Sequence, residues 1–146
     1  LEARVIIGRE AAKLAAERSD KSKLEELSAI VDEMAGSGDS MQKLQELDFR
    51  FFEVIARASD NMVFMFLINA IRSIYFANMR YFKDLIPPAQ NLIESHRQIF
   101  NCINKKDGAG AALATEKFLT MGAEALLFST KKPETINAGE PSPEGA

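Results

Sequence analysis

Tryptophan is absent from this chain of 146 residues, and histidine and cysteine occur once each, as His96 and Cys102. A lone cysteine excludes an internal disulfide and suits a reducing compartment. Basic excess is lacking as well. Against 18 Lys and Arg stand 21 Asp and Glu, a net charge of −3 and a pI of about 5.3. That balance argues against nucleic acid as a direct partner of this chain. The most apolar run, Met62 to Ile71, is too short for a membrane span and is broken by Asn69. No positively charged start precedes an apolar segment, so no signal peptide is visible. These absences point to a cytoplasmic protein with no membrane partner.

What remains is the composition of an ordinary globular domain, 47% hydrophobic and 27% charged. The length suffices for one domain with its own core. No stretch alternates with period two, whereas helical spacing recurs throughout. The pattern predicts an all-α chain of six helices. The first helix runs from about Glu2 to Arg18, with Ile7, Ala11, Leu14 and Ala15 on one face. A capping box of Ser22 with Glu25 opens the second, which stops at Gly36-Ser37-Gly38. Asp39 or Ser40 caps the third, ending near Ser59. Asp60 or Asn61 caps a fourth that continues to about Ile86, where Pro87-Pro88 end it. This fourth helix is apolar nearly all round, which predicts a central position, with or without a subunit interface. A fifth covers roughly Pro88 to Asn104, and Asp107 caps a sixth running to about Phe128. Residues 1–130 thus form the domain. Residues 131–146, rich in Pro, Glu and Gly, read as a disordered tail. The chain opens on Leu1, already in helical pattern, and so reads as part of something longer.

Polar residues interrupt the apolar faces at several points. Leu44, Phe51, Ile55 and Ala58 form one stripe of the third helix, and Asp48 falls within it. A carboxylate in a core is costly unless paired, protonated or metal-bound. His96 lies among Leu92, Ile99, Phe100 and Ile103 on the fifth helix. Arg4 shares the face of Ile7 and Ala11, and Asn69 and Arg72 sit in a stripe with Met65, Phe76 and Met79. Each alone has an ordinary explanation: a hydrogen-bonded core histidine, an arginine reaching water past a helix end, a solvent-facing pair. An Asp48–His96 or Asp48–Arg4 pair would satisfy the core with no further role. Several such residues on different helices, however, can converge on one cavity.

The order and spacing of these segments resemble the FadR C-terminal (FCD) effector domain of GntR-family bacterial transcriptional regulators. The opening LEARVIIGREAAKLAAERSD looks like the family's Glu-x-Arg start and Ala-rich helix. DFRFFEVIARASDN, Asp48 to Asn61, corresponds to its D-x-x-F-H…AS-x-N motif. SHRQIFNCINKKDGAGA, Ser95 to Ala111, corresponds to its EHR-x-I segment, and Phe118-Leu119 to its final His-Leu. The resemblance covers about residues 1 to 129. It implies an all-α antiparallel bundle of six, or seven, helices around a central ligand pocket, two-fold dimers, and an N-terminal winged helix-turn-helix that binds the operator and lies outside this chain.

Many members of that family hold a divalent metal with one Asp and three His. Carried across by position, Asp48 matches the Asp and His96 one His, but the other two positions are Phe52 and Phe118. A phenyl ring is no ligand, and no second His or Cys replaces the lost ones. Glu94 or Glu116 are the carboxylates at hand, though the motif places neither. The site therefore reads as degenerate, with Asp48 and His96 its remnants and no cofactor expected. The implied role is that of a sensing domain, binding a small organic acid or a partly apolar carboxylate through Arg4, Asp48, Phe52, Asn69, Arg72, His96 and Phe118. A dimerisation module with a ligand-free pocket is the alternative. An enzyme using Asp48 and His96 as an acid–base pair ranks below both, for want of a nucleophile motif or a cofactor signature.

Overall fold

The structure, a computed structural model, describes residues 2–78 and 87–130, with backbone only for 122–130. Six helices account for nearly all of these residues, and none of them lies in a strand. They are α1 (Glu2–Arg18), α2 (Lys21–Ala35), α3 (Met41–Ala58), α4 (Met62–Ala77), α5 (Ala89–Asn104) and α6 (Gly108–Thr130). The all-α expectation holds. The proposed continuation of the fourth helix past Asn78 and the tail at 131–146 lie outside the described residues.

Local chemistry explains the helix starts. Asp20 caps α2, its side chain accepting from Lys23 N at 2.9 Å. The helix therefore begins before Ser22, and the Ser22/Glu25 capping box is not formed. An aspartate two residues upstream supplies an equally good acceptor and an extended backbone. Ser40 precedes α3 without a side-chain cap bond, and Asn61 caps α4 through Val63 N at 3.0 Å. Asp107 receives Gly110 N at 2.9 Å and opens α6. Asp60, just before the α4 cap, has a φ of 51°, so the chain reverses there through a left-handed residue.

The central helix is α1, not α4. α1 packs on α3, α4, α5 and α6. Its buried residues are Gly8, Ala11, Ala12, Ala15 and Ala16. Small side chains let neighbouring backbones approach closely, and α6 answers with Ala111, Ala112 and Ala114. The large side chains of the core come instead from α2, α3 and α5, among them Leu27, Ile30, Met34, Phe51, Ile55, Ile99 and Ile103. α4 buries only Ile68. Its apolar character had predicted a central place, but a helix can be apolar all round because its outer face awaits a partner. The inner face of α4 rests on α3, where Phe49 packs against Tyr75 and Phe76 with ring centroids 4.8 and 5.1 Å apart.

Candidate functional site

Asp48 is buried at the middle of α3, and both its oxygens are engaged. Oδ2 accepts from Arg4 Nη2 at 2.8 Å, and Oδ1 lies 2.8 Å from His96 Nε2. Three helices thus deliver one side chain each: α1 gives Arg4, α3 Asp48 and α5 His96. The other ring nitrogen of His96, Nδ1, is 2.7 Å from the carbonyl of Leu92, one turn back in its own helix. A carbonyl and an ionised carboxylate both only accept, so whichever ring nitrogen carries the proton donates. Arg4 on the far oxygen favours the ionised form of Asp48.

Burial by itself pushes the Asp48 carboxyl up, but the adjacent Arg4 charge and the His96 hydrogen bond outweigh it. The group is held below the ordinary aspartate value of 3.8. On α4, burial and then the charge of Asp48 raise the phenol of Tyr75, which accepts from Gln45 Nε2 at 3.2 Å.

Aromatic rings enclose the triad. Phe51 and Phe118 meet the His96 ring edge-on at centroid distances of 4.8 and 4.7 Å, and Phe52 stands 6.0 Å away. Phe52 and Phe118 stack on each other, 8° from parallel. The Arg4 guanidinium lies over Phe49 and Phe52, 5.1 and 5.6 Å from their centroids, a cation–π contact on two sides. Beside it is a cavity of about 10 Å³ lined by Arg4, Gly8, Phe49, Phe52, Ile68, Ile71 and Leu119. That is room for about one water. Gly8 bounds it because a Cβ there would come within 2.7 Å of Leu119 Cδ1.

Of the residues singled out in the sequence, five converge: Arg4, Asp48, Phe52, His96 and Phe118. Asn69 and Arg72 do not join them. Both are exposed on α4, and Arg72 faces Glu53 at 3.8 Å and lies over Phe76. It lines an open, charged groove with Glu46, Arg50, Glu53 and Arg57. The helical turn separates them from the inner face, where Ile68 and Ile71 stand instead. Sequence reasoning missed Phe49 and Gly8. The signals were there: Phe49 is one turn before Phe52, and Gly8 one turn after Arg4, each on the same helix face.

The donor set does not suit the divalent metal that the family resemblance implies. Phenyl rings occupy two ligand positions, and both oxygens of Asp48 are committed to Arg4 and His96. Among the described residues no three His, Cys, Asp or Glu side chains come together as a metal-binding group. Glu116 is engaged by Arg9 at 2.7 Å, and Glu94 is exposed near Arg97.

A six-helix bundle that gathers Arg4, Asp48 and His96 from three helices places this chain among small all-α domains. Residues 1–120 match the FCD domain family, and the chain belongs to it. The HTH-type transcriptional regulator LutR of Bacillus subtilis (strain 168) is 29% identical over 131 residues, which make up 86% of this chain and 60% of the relative. Among solved structures, Streptococcus agalactiae GntR superposes with a TM-score of 0.72 at 24% identity, covering 85% of this chain and 56% of that one. The latter likeness shows the fold. The chain spans about 60% of the length of the curated relative it matches. No helix of the described residues is long and apolar enough to cross a membrane.

Proposed function

We propose that this chain is the effector-sensing domain of a GntR-family transcriptional regulator, reading a small anion with a compact apolar body. One observation carries the proposal: Arg4, half-buried and paired with the buried Asp48 that His96 also meets, lines a cavity whose other walls are apolar. A guanidinium carries five N–H donors, so beyond its bond to Asp48 Arg4 has further N–H groups to offer a carboxylate. Phe49, Phe52, Ile68, Ile71 and Leu119 suit the apolar remainder. No metal takes part in this reading. In the longer protein, operator DNA is bound by an N-terminal domain. Two copies act together, in the cytoplasm.

Ligand pockets commonly enclose ~300–1,000 Å³, so the closed cavity must widen to admit an effector. α4 is the wall that can yield, because only Ile68 of that helix is buried. A shift of α4 then becomes the signal that the ligand transmits. The same closed cavity supports the second reading, a dimerisation module whose pocket has lost its ligand. The enzyme reading has no support, since the Asp48 oxygens are both occupied and the matched relative is a named transcriptional regulator.

Thermal unfolding of the chain against a panel of short aliphatic and hydroxy carboxylates separates the two readings. One or more members are expected to raise the melting temperature in a concentration-dependent way, and Arg4→Lys to abolish the rise. A panel with no stabilising member would leave the ligand-free module as the better account.

A further inference from the structure

The outer face of α4 bears a continuous apolar stripe that nothing in the described chain covers. Val63, Phe66 and Ile74 are 61%, 67% and 63% exposed, and Leu67 is 39% exposed. Ala70 and Ala77 complete the stripe and are also exposed. Val63, Leu67, Ala70, Ile74 and Ala77 follow one another at intervals of four, three, four and three residues. That is the seam of a helix that pairs with another helix. Met62, at the start of α4, is exposed beside the stripe, whereas the large exposed apolar side chains on other described helices, Ile6 on α1 and Leu113 on α6, stand singly.

The stripe is also self-complementary. Its midpoint is Ala70, with Val63 seven residues before and Ala77 seven residues after. Turned end for end about Ala70, it places Val63 against Ala77, Phe66 against Ile74, and Ala70 against itself. Large meets small at the ends, and the two alanines at the centre let the helix axes come close. No charge lies on the stripe. The only charged residue of α4, Arg72, turns toward Glu53 of its own chain. An antiparallel pairing therefore brings no like charges together. Burying the stripe in both copies removes roughly 1,200 Å² from water, which reaches the range of specific interfaces.

We infer that two copies of this chain pair through α4, antiparallel, with the two-fold axis passing at Ala70. This rests on the reading that the domain works as a pair, and it fixes which face does the pairing. Ile68 and Ile71 on the inner side of the same helix wall the Arg4 cavity. One helix thus carries the interface on one side and the sensing site on the other.

Cysteine cross-linking of the 146-residue chain, in a Cys102→Ser background, tests the geometry. Ala70→Cys is expected to form a covalent dimer under mild oxidation, because the two copies of position 70 face each other. Val63→Cys and Ala77→Cys each alone should not, since their mates lie about 20 Å apart along antiparallel helices. Mixed, they should cross-link to each other. Self-cross-linking at 63 or at 77 would mean a parallel pair and overturn the proposal. Phe66→Glu with Ile74→Glu is expected to weaken association about 100-fold by sedimentation, with helical content unchanged because both side chains are exposed. A wild-type monomer at micromolar concentration, or a dimer that survives this double change, would also overturn it. A dimer without the position-70 cross-link sinks the α4 seam alone. Carboxylate binding is read separately, by the thermal shift of the Glu double variant.

Discussion

The inside of this bundle and the outside of α4 have exchanged their usual contents. Around Asp48, three charged or chargeable side chains sit in the core, each hydrogen-bonded. Along α4, a row of Val, Phe, Leu and Ile faces water. Both arrangements cost stability in an isolated domain, and each has a distinct physical remedy. The buried charges are reconciled by one another within the chain. The exposed apolar stripe can be reconciled only from outside it. The triad is thus paired within the chain while the stripe is open on the surface, and substitutions in the two regions should behave differently.

The largest effect is expected from breaking the interior. Asp48→Ala leaves the buried His96 and the half-buried Arg4 without their shared acceptor, and should cost ~2–4 kcal/mol in urea unfolding, solvent at Arg4 lowering the full buried-pair penalty. Asp48→Asn keeps the shape and an acceptor, so a smaller loss is expected. Were Asp48→Ala as stable as the wild type, the triad would not be the linchpin described here.

Phe52→His combined with Phe118→His probes the same interior differently. Both rings face His96, so the two new imidazoles join Asp48 and His96 around one point. Replacing two buried phenyl rings should lower metal-free stability by several kcal/mol, of the order of ~2–5. Zinc is then expected to restore much of that loss, which the wild type should not show. A zinc-dependent melting temperature in the wild-type chain would overturn the metal-free reading.

Acid provides a gentler lever on the triad. The folded-state pKa of Asp48 is depressed, so its contribution is fully present above the ordinary value of 3.8. It is lost as pH falls through the lower folded value, where the native carboxylate finally takes a proton. Stability of the wild type should therefore drop more steeply below about pH 4 than that of Asp48→Asn. Parallel slopes in the two proteins would show that Asp48 is not held ionised.

Gly8→Ala should have an intermediate effect, about 1 kcal/mol of either sign. The helix gains propensity, while the new methyl presses on Leu119. If the cavity receives ligand, this substitution should weaken carboxylate binding more than it changes the unfolding midpoint. Smallest of all is Arg72→Ala. Its ion pair with Glu53 is half-exposed and 3.8 Å long, so a change within ~0.5 kcal/mol is expected. A loss of carboxylate binding in Arg72→Ala would return that residue to the effector site.

Periodicity in the sequence determined six helices and, among the described residues, no strand, because those properties depend on residues a few positions apart. Periodicity also marked Asp48 and His96 as misplaced in apolar faces, and the family resemblance marked Phe52 and Phe118 as replacements for expected ligands. Sequence alone left open whether Asp48 meets Arg4, His96 or neither. It meets both, and only the packing of α1 and α5 against α3 could decide that. Sequence reasoning also put α4 at the centre, since apolar residues around a whole helix look the same whether they face a core or a future partner. The small side chains of α1 settled that competition in space: a helix of alanines and glycine fits among four neighbours, and a helix of Phe, Met and Ile is left on the rim. Burial is a property of three-dimensional volume. No local pattern contains it.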